Sequence, residues 1–419
     1  MMKKNNSIIL LLIAIFSCSL AQGITIISIP WYFTDNLNAS STFSLLYAGV
    51  TFIGLFWGLY AGVIIDFYNR KKILLLINLI CSIIFFISGL TIYFSNQGNS
   101  FLFFLAFAIC SFYYTIFFPN LYAIAQEISS KKQYVTINSF IEIFFQATTI
   151  ISALLCAILL SESKDLINYF KLEFLSVIKL NMGQILILNS ILYLITFILL
   201  LFINYVPKKK YKKINFYSTL REIKIAISFL IKNKKILIYG ICSQAIFAFL
   251  IVELFTLLPL FVKNCLNENI ITFSLADLVY AVGALSAGII TAKILKHIKK
   301  IPYSIFLIIL TGYAFLIMIS HQELNIFFIT SFIVGLTNAS VRITRMSYFF
   351  ETIPNYLIGR SNTIFNAINT IIRGFLILIY SLSWFSEEQN VVIGYKIGIF
   401  FLILFAIPLM YLWFQKKLN

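Results

Sequence analysis

The sequence predicts an all-α, polytopic membrane protein whose twelve transmembrane helices form two pseudo-symmetric six-helix bundles. Of the 419 residues, 61% are hydrophobic and only 11% are charged, and long apolar runs recur from one end of the chain to the other. A helix that crosses a bilayer needs about 20 mostly apolar residues, and about twelve runs have that length. A long polar interruption in mid-chain separates six runs from the other six.

The apolar runs define the predicted spans in chain order. They cover residues 7–32, 43–65, 73–94, 100–124, 135–160, 184–205, 237–261, 272–293, 303–320, 326–348, 359–384 and 393–414. We therefore predict an N-terminal six-helix bundle at 1–205, a cytoplasmic linker at 206–236 and a C-terminal six-helix bundle at 237–419. Thr219 and Glu222 make a capping box for an amphipathic helix in the linker, whose bases equally suit an anionic-lipid contact.

An internal repeat supports the two halves. AGVIIDFYNRKK (61–72) aligns with AGIITAKILKHI (287–298), and QEISSKKQYVTINSFIEI (126–143) aligns with FETIPNYLIGRSNTIFNA (350–367). The second alignment superposes Glu127 on Glu351, so polar residues recur at corresponding helix ends. Many transporters are built from two such halves with the substrate site between them, which makes transport the first function to consider.

The net charge of +17 reflects membrane topology rather than a nucleic-acid partner. The bases gather in short segments between apolar runs, as the positive-inside rule predicts for cytoplasmic loops. We assign Arg70 to Lys72, Lys208 to Lys210, Arg342 and Arg345 to this cytoplasmic set, which puts both termini in the cytoplasm. The expected partners are the lipid bilayer and a small-molecule cargo, and we expect the chain to be monomeric.

The sequence does not favour an enzyme, a cofactor or a metal site. The six cysteines lie mostly inside apolar runs and have no zinc-ligand spacing. His297 and His321 are isolated from each other, whereas an intramembrane enzyme needs a cluster of such groups. No GxxxxGK[ST] loop is present, which argues against ATP as the direct energy source.

The stretch GLYAGVIIDFYNRKKIL places one acid and three bases at the edge of an apolar helix. Gly62, Asp66, Arg70 and Lys71 resemble the signature that joins the second and third helices in the major facilitator superfamily. The segments REIKIAISFLIKNKKIL and QEISSKKQYVTINSF resemble the macrolide-efflux and enterobactin-exporter branch. Two features depart from the pattern: Phe67 replaces the arginine that usually follows the acid, and the fifth span contains no glycine or proline.

The resemblance implies two rocking bundles, a central site near the midplane, and export across a bacterial cytoplasmic (inner) membrane. It also implies that Gly62, Asp66, Arg70 and Lys71 form a gating latch that holds the halves together in one state. Physical chemistry makes this reasonable, because a glycine lets helices approach closely and an arginine offers a planar donor fork. The alternative is that the bases only orient the helix pair.

Ionisable groups inside spans are costly, so they are the best pointers to mechanism. Glu142 in the fifth span and Glu253 in the seventh are the candidate proton carriers, and a structural hydrogen bond is the alternative role for Glu142. Arg373 in the eleventh span neutralises one of these acids or binds an anionic group of the cargo. The substrate-binding candidates are Arg373, Gln22, Gln146, Gln244, Asn366 and Thr370.

The polar residues leave two cargo classes open. A proton-coupled drug or macrolide efflux pump needs a mostly apolar cavity with one acid, which Glu142 would supply. A siderophore exporter needs a base for carboxylate or catecholate oxygens, which Arg373 would supply. The arginine favours the siderophore slightly, and an importer of the same fold remains a third alternative.

Overall fold

The computed structural model describes residues 2–95, 100–128, 134–162, 179–205, 216–354 and 357–418. Every regular element within these residues is a helix. The first half contains α1 (Met2–Asp35), α2 (Ser40–Phe67), α3 (Arg70–Ser95), α4 (Ser100–Ile128), α5 (Tyr134–Leu160) and α6 (Met182–Leu201). They are followed by α7 (Phe216–Lys232), α8 (Lys234–Cys242), α9 (Ala245–Val252), a π-helical turn (Glu253–Leu257), α10 (Leu258–Asn264), α11 (Ile270–Ile294), α12 (Lys300–His321), α13 (Leu324–Thr352), α14 (Ile358–Tyr380), a 3₁₀ turn (Ser383–Ser386) and α15 (Val391–Leu418).

Twelve helical segments of the described chain are long and apolar enough to cross a membrane. They fall on the twelve predicted runs, so the predicted all-α fold with twelve spans is confirmed. The seventh span differs from the prediction in one respect. It covers Lys234–Asn264 but is not one continuous helix, because it turns at Ser243 and Gln244 and passes through the π-helical turn before α10.

The first of two compact units comprises Met1–Ala39, Ile53–Lys213 and Asn269–Leu278. Glycines allow a close helix crossing in this unit: a Cβ on Gly89 of α3 would lie 2.8 Å from the Gly183 carbonyl oxygen of α6, and a Cβ on Gly183 would lie 2.9 Å from the Gly89 carbonyl oxygen. Small residues allow this approach between membrane helices. A second close contact places Gly23 of α1 against the Ser152 side chain of α5.

The second unit comprises Ser40–Phe52, Ile214–Glu268 and Val279–Asn419. Its short segment from α2 packs on α14, where the Ser41 hydroxyl donates to the Ser381 carbonyl (2.6 Å) and the Phe52 ring fills the space beside Gly374. The same segment reaches the π-helical turn through an edge-to-face contact between Tyr47 and Phe255. The unit therefore places the π-helical turn and α14, which carry the predicted ionisable residues Glu253 and Arg373, in one packed body.

Candidate substrate and coupling sites

The predicted gating residues are described in part. Gly62 and Asp66 lie in α2, and their side chains fall outside the described residues. Arg70, the first residue of α3, donates from Nη1 to Glu127 Oε1 of α4 at 2.7 Å, and the Tyr205 hydroxyl donates to the other oxygen of the same carboxylate. Lys71 Nζ donates to the carbonyls of Leu201 and Ile203, both at 2.8 Å. These bases tie α3 to α4 and to the end of α6.

The corresponding position in the second half carries a matching ion pair. Glu351, which the repeat aligns with Glu127, pairs with Lys300, the first residue of α12. In each half the aligned glutamate therefore binds the base that begins the third span. The two pairs differ in burial, because the Glu127 side chain is 11% exposed and that of Glu351 is 65% exposed.

Arg373 lies on α14, where its side chain is partly buried in the second unit. Its Nη2 donates to the Thr370 hydroxyl (3.0 Å), whose own hydrogen goes to the Asn366 carbonyl (2.9 Å). The guanidinium carbon lies 5.8 Å from the centre of the Phe247 ring, within the range of a cation–π contact. Its Nε is buried with no hydrogen-bond partner, and none of the described carboxylates forms an ion pair with it.

Glu253 begins the π-helical turn of the seventh span and is 6% exposed. Its Oε1 accepts a hydrogen bond of 2.6 Å from the hydroxyl of Tyr395, which is fully buried on α15. No described base forms an ion pair with this carboxylate. A buried acid with one neutral donor and no counter-charge is an expensive arrangement in a span, which keeps Glu253 among the candidates for proton coupling. π-Helical turns are also frequent at functional sites.

Two side chains hold the break in the seventh span. Arg345 of α13 donates from Nη1 to the Ser243 carbonyl (3.1 Å), and Asn369 of α14 donates to the Gln244 carbonyl (3.3 Å). Of the bases assigned to the cytoplasmic set, Arg345 is therefore buried in a contact between helices. The side chain of Arg345 is only 9% exposed, whereas that of Arg342, one turn earlier, is exposed.

The remaining substrate-binding candidates lie in different units. Gln244 is 2% exposed and Asn366 is exposed on α14, both in the second unit. Gln22 is 5% exposed on α1, and Gln146 is partly buried on α5, both in the first unit. The side chain of Glu142, on the same helix as Gln146, lies outside the described residues. The structure thus places four of the candidates in the second unit: Arg373, Thr370, Asn366 and Gln244. The first unit contains a cavity, and none of the substrate-binding candidates lines it.

That cavity, of about 400 Å³, lies within the first unit. It is lined by the ends of α1, α3 and α5 and the starts of α6 and α11, and includes Trp31, Tyr93 and an ion pair between Lys179 and Glu162 of 3.6 Å. Two lining hydroxyls, those of Ser28 and Ser161, are buried without a hydrogen-bond partner. Sequence reasoning did not anticipate this cavity, because its lining comes from five separate stretches of chain.

The sequence matches the family profile described as Major Facilitator Superfamily over residues 11–377. The chain belongs to this superfamily. No curated protein sequence matches the chain at a significant level.

Solved structures of superfamily members share the fold of this major facilitator protein. A mutant of the nucleoside transporter NupG superposes with a TM-score of 0.70 at 15% identity, covering 98% of this chain and 99% of the other. A bacterial homolog of the human lysosomal transporter Spinster, inward-facing and occupied, gives 0.69 at 13% identity over 96% and 95% of the two chains. A D-xylose–proton symporter gives 0.68 at 14% identity over 96% of each chain.

These comparisons establish the fold and the family of the major facilitator protein, and with the twelve apolar helices they indicate a multi-pass membrane protein. At 13–15% identity the likeness extends to the fold alone. The family consists of membrane transporters that bind small-molecule cargo, so the polar residues inside the spans are the ones to consider for cargo and coupling.

Proposed function

We propose that the protein is a secondary active exporter that moves a small anionic molecule, such as a siderophore, across a bacterial cytoplasmic membrane by alternating access coupled to protons. Membership of the superfamily supports transport, and the residues within the spans support the finer assignments. Cargo, direction and coupling each depend on a separate group of residues, and each has its own test.

Arg373 carries the cargo assignment. A guanidinium stays protonated at any working pH, and a charge at membrane depth is expensive unless it is paired. Its guanidinium donates to a hydroxyl and lies against an aromatic face, and neither contact neutralises it. An anionic cargo would supply the missing charge, and Phe247 beside the guanidinium would contact an aromatic ring such as a catechol.

Glu142 and Glu253 are the candidates for proton coupling, and Glu253 is the one whose side chain the structure describes. Its carboxyl is buried and contacts the neutral Tyr395 hydroxyl. Protonation on one side of the membrane and release on the other would link the conformational cycle to the proton gradient. The gating motif at Gly62, Asp66, Arg70 and Lys71 would favour one of the two conformations.

The proposed orientation places both termini in the cytoplasm. Bases cluster in the segments that join the second to the third span and the sixth to the seventh, as expected for cytoplasmic loops. A reporter enzyme that is active only in the cytoplasm, fused after Asn419, should be active, whereas an enzyme that needs the periplasm should not. The reverse pattern would overturn the orientation.

The cargo assignment is tested by siderophore release. A strain that lacks the protein should release less iron-chelating activity into iron-depleted medium and retain more inside the cells. Wild-type protein and Arg342→Gln, an exposed arginine on α13, should restore release, whereas Arg373→Gln should not. Unchanged release by the deletion strain would refute a siderophore as the cargo, and full restoration by Arg373→Gln would refute the role of Arg373.

Efflux of cationic amphipathic drugs, including macrolides, is the second candidate. The buried acid Glu253 favours it, because a carboxylate in an apolar setting can bind a cationic drug as well as a proton. Import by the same fold is less favoured, because the resemblance to exporters is the observation that bears on the direction of transport, and it implies export. A panel of amphipathic cations separates the two export functions: a drug pump raises the inhibitory concentrations of these compounds, whereas a siderophore exporter leaves them unchanged.

A further inference from the structure

The break in the seventh span concentrates polar atoms that the protein itself does not satisfy. Arg345 is 9% exposed, Gln244 is 2% exposed and Ser243 is 1% exposed. Arg345 Nε, Gln244 Nε2 and Ser243 Oγ are all buried, and none has a hydrogen-bond partner among the described residues. Buried polar groups are normally paired, and an unpaired one costs roughly 1–3 kcal/mol. These atoms lie on two consecutive residues and on the arginine that binds the Ser243 carbonyl, and together they indicate a missing partner.

The chemistry of these atoms specifies that partner. Arg345 Nε and Gln244 Nε2 can only donate hydrogen bonds, and the Ser243 hydroxyl can donate as well. Arg345 adds a full positive charge and forms no ion pair with any described carboxylate. Helix α9 begins at Ala245, immediately after these residues, so the positive end of its dipole lies at the same place. An oxyanion satisfies the donors, the charge and the helix terminus together.

We propose that the break at Ser243 and Gln244 is an oxyanion subsite, in which Arg345 binds a carboxylate of the transported molecule. The proposal rests on the proposed function, because it names the chemical class of the cargo. Arg345 Nη1 holds the Ser243 carbonyl at 3.1 Å, which orients the guanidinium and leaves Nε for the ligand.

The subsite lies about one helical turn from Arg373. Asn369, which holds the Gln244 carbonyl, precedes Arg373 by four residues, a rise of roughly 6 Å along α14. Phe247, which lies against Arg373, follows Gln244 by three residues, a rise of roughly 4.5 Å. A molecule that carries a carboxylate together with an aromatic ring or a second anionic group therefore matches the spacing along both helices.

A purely structural role for Arg345 makes a different prediction. Capping the break needs only the bond from Nη1 to the Ser243 carbonyl, and the Ser243 hydroxyl contributes nothing to it. If the role is purely structural, Ser243→Ala removes an unsatisfied buried hydroxyl and leaves the effect of anions on the stability of the protein unchanged. If the hydroxyl binds a ligand oxygen, the same variant folds as well as the parent but binds carboxylates more weakly.

The test is the thermal unfolding of the purified full-length protein in a neutral detergent, titrated with sodium benzoate against sodium chloride at equal ionic strength. Benzoate carries one carboxylate on an apolar ring and should raise the unfolding midpoint of the parent. We expect Ser243→Ala and Arg345→Lys to weaken the apparent affinity at least about fivefold and Arg345→Gln to abolish the response. Arg342→Gln makes the same chemical change on the exposed side chain one turn away and should respond like the parent.

A parent protein that does not respond to benzoate overturns the subsite, and so does a Ser243→Ala variant that keeps the parental response. Ser243→Ala keeps the experiment decisive even if Arg345→Gln fails to fold. The proposed export function is judged separately, by chelator release from cells that carry Arg373→Gln. A protein that binds benzoate but does not export the chelator can therefore be distinguished from one that exports the chelator but does not bind benzoate.

Discussion

At the scale of single residues, the Glu253–Tyr395 pair shows how the chain accommodates a buried acid. The carboxyl group is 6% exposed and receives one hydrogen bond, from a fully buried tyrosine. Deep inside a membrane protein a charged carboxylate is costly, whereas the protonated form keeps its hydrogen bond at little cost. Under the proposed function, this site would bind and release a proton as its surroundings change.

Replacing Glu253 by glutamine tests this role. The amide would keep the size of the side chain and an acceptor for Tyr395 but would not titrate, so we expect export to lose its dependence on the pH of the medium. Release of the cargo is measured in acidic and alkaline medium for the parent, for Glu253→Gln and for Glu323→Gln, an exposed glutamate at the start of α13. If Glu253→Gln keeps the parental pH response, this acid is not the proton carrier.

The two glutamates related by the repeat should differ in their effect on stability. Glu127 accepts from Arg70 and Tyr205 in a site where it is 11% exposed, whereas Glu351 pairs with Lys300 while 65% exposed. Glu127→Gln should therefore cost roughly 1–3 kcal/mol. Glu351→Gln should cost less than about 1 kcal/mol, because solvent screens an exposed pair.

Thermal unfolding of both variants in detergent measures this difference, with each serving as the control for the other. We expect a clear fall of the midpoint for Glu127→Gln and almost none for Glu351→Gln. Equal midpoints would mean that the hydrogen bonds to Glu127 contribute no more than the exposed pair does.

The sequence marks some candidate residues clearly and gives no sign of the burial of another, for a physical reason. Arg373 and Glu253 each stand alone inside a long apolar run, so their cost in a membrane marks them. Arg345 lies three residues after Arg342 near the end of a run, where the positive-inside rule accounts for both. Burial separates them, and it depends on the contact of Arg345 with Ser243, 102 positions away in the sequence.

At the scale of elements, the seventh span shows what an apolar pattern cannot reveal. Its sequence predicts one continuous helix, because the run is mostly hydrophobic and contains no proline before Pro259. The break is instead held by Arg345 and Asn369, which lie 102 and 125 positions from the carbonyls they bind. Local propensity therefore predicts the span but not the break, because the break depends on tertiary hydrogen bonds.

Glycines at the crossing of α11 and α13 give a prediction at the same scale. A Cβ on Gly335 would lie 2.0 Å from the Tyr280 carbonyl oxygen, and a Cβ on Gly283 would lie 2.1 Å from that of Phe332. These neighbours are backbone atoms, so a methyl group forces the helices apart. Gly335→Ala and Gly283→Ala should each destabilise the protein by about 1–3 kcal/mol.

Gly288→Ala on α11 is the matched control, since a Cβ added at this position would have nothing within 4 Å. Alanine is the better helix former, so this variant should unfold at the same temperature as the parent or slightly higher. Thermal unfolding in detergent compares the three variants. A midpoint for Gly335→Ala as high as that of Gly288→Ala would contradict the close crossing.

At the scale of the whole molecule, the number of spans follows from the solvent. A bilayer requires each crossing segment to be long, apolar and internally hydrogen-bonded, so the twelve spans can be predicted from the apolar runs of the sequence alone. The repeat is fainter in sequence, yet its aligned glutamates Glu127 and Glu351 both bind the first residue of the third span in their half. The identity of the cargo cannot be predicted in this way, because it depends on a few polar side chains whose neighbours are determined only by folding.

The gating motif gives the prediction that concerns the whole transport cycle. Asp66→Asn keeps the shape of the side chain and removes its charge, and Arg70 keeps Glu127 as an ion-pair partner in the variant. We therefore expect normal expression and membrane insertion. If Asp66 stabilises one of the two conformations, its loss should slow export roughly tenfold, which corresponds to about 1.4 kcal/mol of conformational bias.

Export kinetics and the amount of protein in the membrane are measured together, with Asp35→Asn as the control for the same chemical change at the exposed end of α1. Slow export at a normal protein level would support a conformational role, because a folding defect would lower both. If Asp66→Asn exports with the parental kinetics, the function of Arg70 and Lys71 is limited to their anchoring contacts. These contacts are with Glu127, Leu201 and Ile203. The motif would then stabilise one unit rather than drive the cycle.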